Sequence, residues 1–250
     1  MKEVFLLILF LFLAYLIIIF NIYFIKIRIT KQPQKYSQSR YNKFKLHSKY
    51  SSFKNCAEVF TAIPGLKQKI IPQGITYSKK YNLLIVSGYH YGKISSVLFF
   101  IDYKTGNLLK TLILSREDES DFNEHVGGVT TDNETLWIVS NYKIYEYSLE
   151  KLIARNDMDR VKYDKVFNTF TKADYVTYHN GILWVGEYDY KNIYKTKENH
   201  VVTTLNHKKN KSLLSGYIAN KNNNYYTPDY LISIPDRVQG VTFDKQKDEE

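Results

Sequence analysis

Four short phrases in this chain align without gaps: QGITY (Gln73–Tyr77), GGVTT (Gly127–Thr131), DYVTY (Asp174–Tyr178) and QGVTF (Gln239–Phe243). Their threonines, Thr76, Thr130, Thr177 and Thr242, stand 54, 47 and 65 residues apart. Self-similarity at such a period points to solenoids, propellers or arrays, in which each unit buries its apolar face only against the next. Each of the first three phrases is followed by a second apolar run, LLIVSGY (Leu83–Tyr89), LWIVSNY (Leu136–Tyr142) or LWVGEYD (Leu183–Asp189). The intervening SKKYN, DNET and HNG are turn-forming.

Two further strands complete each unit. They are VLFFIDY and LLKTLIL in the first, KIYEYSL and about KVFNTF in the second, and LLSGYIAN and YLISIP in the third. Four antiparallel strands per unit make a β-propeller blade. A β-sandwich would also use short strands, but it gives no reason for one phrase to open every unit. The fold expected is therefore all-β, an incomplete propeller of the six-bladed type over residues 56–250, with blades opening near residues 73, 126, 173 and 238. Three blades and the start of a fourth are present, and Glu58–Ile63 reads as an outermost strand, because EVFTAIP parallels DYLISIP. The expectation is a chain shortened relative to a full ring, or one whose ring is completed by a homodimer.

Ahead of the repeats, Val4–Phe20 is an unbroken apolar run. About 20 apolar residues span a bilayer, and a cleaved signal has a shorter core and a small-residue cleavage site. Residues 1–25 are thus read as a transmembrane helix that anchors the chain to the membrane, and the polar residues 26–55 as a flexible stalk. Charge follows the same division. Residues 1–55 carry ten Lys/Arg against one acid, Glu3, and residues 56–250 carry 25 against 24, so nearly all of the net +10 belongs to the first segment. Lys26, Arg28, Lys31, Lys35 and Arg40 suit anionic lipid or another surface polyanion. A near-neutral repeat region removes the electrostatic ground for nucleic-acid binding. Basic residues after an anchor argue for a cytoplasmic domain, whereas one short anchor before a strand-rich domain is the layout of an exported protein. The expected location is the cell membrane, with the domain facing outward. The one cysteine, Cys56, allows no intrachain disulfide.

In such a blade the first strand begins, and the second ends, at one face, so their side chains converge on a channel mouth. Strand starts contribute Gln73, His125, Asp174, Arg237 and Gln239, and strand ends contribute Ser87, Tyr89, Ser140, Asn141 and Glu187. Asp174, Glu187 and Asn141 would offer hard oxygen ligands for Ca²⁺, or the two carboxylates an acid–base pair, and His125 could act as a base. The alternative is structural, with Asp174 and Glu187 paired to Lys172, Arg237 or backbone N–H groups. The long connection Tyr190–Lys211 should emerge at the same mouth, bringing Lys195, Lys197, His200 and His207 toward an anionic ligand. His90 lies in a neighbouring loop. Trp137 and Trp184 hold matching positions and read as packing between blades.

The phrases PQGIT, HVGGVT, KADYVTYHNGILWVGE and PDRVQGVTF, in that order over residues 58–244, resemble those of bacterial exported, membrane-anchored β-propeller proteins of the six-bladed class. These are distant fold kin of gluconolactonase-like, paraoxonase-like and strictosidine-synthase-like propellers. That kinship implies a divalent metal in the central channel, held through Glu, Asn and Asp. The chain departs from it at Gln73, an amide where a metal-binding carboxylate is expected. Two functions follow as expectations: a surface module binding a ligand or protein through its mouth, and a metal-dependent hydrolase of the lactonase or esterase type. A third is a shortened propeller without function.

Overall fold

The computed structural model describes residues 12–17, 32–38, 60–92, 94–191, 193–219 and 227–243. The chain divides into Met1–Gln32 and Pro33–Glu250. In the first unit, residues 12–17 are helical. Among the described residues no helix is long and apolar enough to cross a membrane, and the rest of the expected anchor lies outside them.

In the second unit the repeats become sheets. Strands β1 (Ile70–Ser78), β2 (Leu83–His90), β3 (Val97–Asp102) and β4 (Leu108–Ser115) form an antiparallel meander. β5 (Gly128–Thr131), β6 (Thr135–Ser140) and β7 (Lys143–Ser148) begin a second. The chain then makes a short helix, Leu149–Ile153, capped by the Ser148 hydroxyl. It lays down β8 (Arg160–Lys162) parallel to β4 of the preceding sheet and only then returns as β9 (Lys165–Asn168) beside β7. The third sheet runs β10 (Tyr175–His179), β11 (Ile182–Gly186), β14 (Ser212–Ile218) and β15 (Tyr230–Ile234). Between β11 and β14 sits a two-stranded hairpin, β12 (Val202–Thr203) with β13 (Lys209–Asn210).

The three sheets stack as propeller blades do, with first strands side by side, and the repeated phrase explains why. A Cβ on Gly74 would stand 2.7 Å from the Val129 backbone nitrogen, and one on Gly128 2.6 Å from that of Val176. Neighbouring first strands therefore approach closer than any side chain permits. The phrase's hydroxyl joins them: Thr130 Oγ1 accepts the Tyr178 N–H at 2.9 Å. Ser87, one strand further out, accepts the Gly74 N–H and donates to the Val126 carbonyl, both at 3.1 Å.

The core lies in the seams. Ile85, Leu98, Phe100, Leu112 and Leu114 of the first blade meet Val129, Ile138, Tyr145 and Tyr147 of the second. Trp137, Val139 and Ile144 then meet Val176, Leu183, Val185 and Tyr217 of the third. Trp137 stacks on Tyr178 across that seam at 5.4 Å, and Trp184 packs with Tyr175, Leu214 and Ile234. β3 is apolar at every position from Val97 to Ile101 because both of its faces are covered. One face meets the second blade; the other meets Tyr36, Ile70 and Val86.

Three departures from the sequence reading concern the N-terminal side and the C-terminal end. Part of the expected free stalk is seated on the first blade: Tyr36 is buried edge-on against Phe99, 5.5 Å between centroids. Gln38 is fixed as well, its side-chain nitrogen 2.7–2.9 Å from Thr61 Oγ1 and the carbonyls of Ala62 and Gly106, while its oxygen accepts the Leu108 N–H at 2.9 Å. Residues 60–63, the described end of the expected strand Glu58–Ile63, are not a strand, since Thr61 and Ala62 are engaged by that glutamine instead. The expected fourth-blade start, residues 238–243, likewise carries no strand.

Candidate functional site

Six of the ten residues expected at the channel mouth, Gln73, Tyr89, His125, Asn141, Asp174 and Gln239, line one cavity of about 600 Å³. Local structure places each. Gln73 is the extra residue of a β-bulge, where the β1–β2 register shifts between Pro72 and Gly74, and a bulge re-aims its side chain out of the pleat. His125 precedes β5 and stacks on Tyr89 at the end of β2, centroids 4.0 Å apart. Asn141 sits in the tight β6–β7 turn with φ 55°, a left-handed conformation that Asn tolerates. Asp174 precedes β10.

Sequence reasoning missed Glu124, Tyr188 and Tyr194 in this lining. Glu124 precedes the repeated phrase and Tyr194 follows the aligned runs, while Tyr188 lies inside LWVGEYD, where nearness to the strand end points to its neighbour Glu187 instead. Glu124 is held by the Arg116 guanidinium at 2.8 Å and the Asn141 amide at 3.3 Å. Asp174 pairs with Lys172 at 3.1 Å and accepts the Tyr188 N–H at 2.9 Å. Lys172 also lies 5.3 Å from the Tyr194 ring centre. Burial, with Tyr194 and Tyr91 nearby, raises the Tyr89 hydroxyl above its usual range. Burial first, then Asp174 and Glu187, does the same to Tyr175. Both hydroxyls therefore stay protonated and able to donate near neutral pH.

Glu187 and Asp174 do not face each other. Side chains alternate along a strand, so Tyr188 turns to the mouth and Glu187 into the body. There Glu187 is fully buried, 2.9 Å and 3.0 Å from His200 Nδ1, and it accepts the backbone N–H groups of Lys172 at 3.0 Å and Leu213 at 3.1 Å. His200 is itself buried and stacked on Phe170. The connection from Tyr190 to Lys211 is thus pinned to the third blade by its own histidine rather than offering it to a ligand. Lys195 pairs with Glu198, Lys197 lies over the Tyr142 and Phe170 rings, and His207 occupies the hairpin turn at φ 59°. Arg237 stacks over Tyr190, 5.0 Å from its centre, outside the mouth cavity. His90 is buried at the end of β2.

The divalent metal implied by the resemblance does not fit these residues. Asn141 turns its amide nitrogen to Glu124, Asp174 is engaged by Lys172, and Glu187 is sealed against His200. Among the described residues no three His, Cys, Asp or Glu side chains assemble as a metal site.

No family model matches the chain, and no curated protein does. Among solved structures it is similar to glutaminyl cyclase from Myxococcus xanthus, at 11% identity over 68% of this chain and 55% of that one, with a TM-score of 0.40. It is similar also to the β-propeller domain of Cps50 (Swd1) from Myceliophteria thermophila, at 11% identity over 80% of this chain and 50% of that one, with a TM-score of 0.38. The chain spans about half the length of these solved structures.

Proposed function

We propose that the chain is a membrane-anchored binding module of the six-bladed propeller type, facing outward, whose mouth cavity takes a small, uncharged, hydroxyl-rich ligand. The observation that carries this reading is that each carboxylate of the cavity already has a cation, Glu124 the Arg116 guanidinium outside the lining and Asp174 its lining neighbour Lys172. A charged ligand would have to break those pairs. The amides of Gln73, Asn141 and Gln239 and the tyrosine hydroxyls suit alcohol groups, and the stacked Tyr89–His125 pair offers a flat apolar face for C–H bonds. The apolar run Val4–Phe20 and the basic residues after it support the anchor.

The binding reading is tested by thermal shift of the full chain in detergent against neutral mono- and oligosaccharides and their charged counterparts. A neutral saccharide should raise the melting temperature, and Tyr89→Ala and Asn141→Ala should each abolish the shift. Shifts from charged compounds alone, or one that survives Tyr89→Ala, would refute the reading. Orientation is read separately by a C-terminal alkaline phosphatase fusion, which is active only outside the cytoplasm; an inactive, well-expressed fusion would refute the outward placement.

A further inference from the structure

A second cavity, of about 550 Å³, lies at the seam of the first two blades and shares no lining residue with the mouth. The excursion after β7 builds it. The short helix contributes Lys151, Arg155 follows it, and β8 contributes Arg160 and Lys162. Four cations thus face one cleft with two acids, Glu119 and Asp164. Asp164 is taken by Lys151 at 2.5 Å, and Arg160 by Asp121 at 2.9 Å. Arg155 and Lys162 have no carboxylate partner among the described residues. Glu119 likewise has no cation partner among the described residues, so two unpaired cations stand against one unpaired acid and the concave place keeps a net positive charge.

A second observation is independent of the charges. Tyr147, which also lines the cleft, is 1% exposed, and its hydroxyl has no hydrogen-bond partner among the described residues. A buried hydroxyl without a partner costs about 1–3 kcal/mol, so its occurrence calls for an explanation. Burial, with Tyr145, Tyr163 and Asp164 nearby, drives its ionisation well above the usual range, so the group is a fixed O–H donor. A donor lacking an acceptor, in the same lining as two cations without a carboxylate partner, is what an oxyanion satisfies. A guanidinium fork, an ammonium and a phenol supply N–H and O–H groups that a tetrahedral, doubly charged anion can accept through several oxygens.

We propose that this seam cleft binds a phosphate group, held by Arg155, Lys162 and the Tyr147 hydroxyl. The phosphate is either free in solution or esterified, as on a lipid head group or a surface polymer. β8 belongs to the first blade's sheet and Tyr147 to the second, so the ligand bridges the two. Nothing in this site depends on the mouth cavity.

The test is calorimetric titration of the full chain in neutral detergent at fixed ionic strength, with inorganic phosphate and with glycerol 3-phosphate. Saturable binding is expected. Arg155→Gln and Lys162→Gln should each weaken it about tenfold or more, the equivalent of one charge-assisted hydrogen bond. Both side chains are exposed, so these variants should fold. Tyr147→Phe should weaken binding without lowering the melting temperature, and Lys209→Gln, a cation outside the cleft, should change nothing. Equal affinity for the two probes identifies free phosphate, and a tenfold preference for the ester identifies an esterified one. No saturable heat with either probe at about 10 mM, where even a millimolar site fills, would overturn the proposal. So would unchanged affinity in both Arg155→Gln and Lys162→Gln.

Discussion

His90 shows how one side chain couples this fold to pH. It ends β2 and is buried, and its Nδ1 accepts the Gly92 N–H at 2.8 Å, which requires that nitrogen to be unprotonated. Burial lowers its pKa, a hydrogen bond to the Gln68 backbone opposes the shift, and nearby Lys69 adds to the lowering, for a net value below the usual 6.5. The unfolded chain therefore holds this proton more tightly than the folded one. The stability contribution is full above pH 6.5 and is lost as pH falls from 6.5 through the folded value. Gln at this position keeps an acceptor for Gly92 and cannot titrate. Denaturation midpoints between about pH 7.5 and 5 should fall more steeply for the natural chain than for His90→Gln, and parallel slopes would contradict this account.

At the scale of the element, the repeated phrase is a packing code. Adding one methyl at Gly128 drives it into the Val176 backbone, which cannot step aside as a flexible side chain would. Gly128→Ala should cost about 2 kcal/mol as an overpacked site, which lowers the melting temperature by about 4–8 °C for a unit of this size. Gly240 holds the same place in the fourth phrase, but a methyl there would meet nothing within 4 Å. Gly240→Ala should leave the melt within about 1 °C. Equal losses at the two glycines would show that the phrase does not act through strand crowding.

The same elements show how much of the fold is legible in the sequence. The antiparallel units and the seam position of Trp137 follow from alternation and turn residues, which are local signals, whereas Trp184, expected between blades, packs on Tyr175, Leu214 and Ile234 of its own sheet. Six mouth residues are legible for the same reason, because a strand's start and its neighbour's end converge whatever else the chain does. Nearness to a strand end assigns Glu187 to the mouth, yet the pleat turns it inward, and only its distant partner His200 reveals that. The excursion through β8 and the docking of Tyr36 and Gln38 rest on long-range pairings that no local period encodes. Tyr36 carries one faint signal, a lone aromatic between polar neighbours.

For the molecule as a whole, β8 matters beyond its three residues. It ties the segment after the second blade's third strand to the first blade, with Leu114 opposite Val161. Two blades so joined should unfold together. Val161→Pro removes a backbone donor and fixes φ within that pairing. Urea unfolding followed by tyrosine and tryptophan fluorescence should then broaden, with a lower apparent m-value or two distinct steps. A single sharp transition of unchanged slope would mean that apolar contacts alone couple the blades.

The lace also imposes a schedule on synthesis. Ser115 leaves the ribosome 47 residues before Lys162, its partner across the β4–β8 ladder. At about 5–20 residues per second this is an interval of roughly 2–10 s. During it, the outer edge of the first sheet has its hydrogen-bonding groups unclaimed, beside the apolar run Leu112–Leu114. An unclaimed edge of this kind is open to pairing with a neighbouring nascent chain. Translational pausing between codons 115 and 162 would prolong that exposure, and brisk elongation across the same stretch would shorten it.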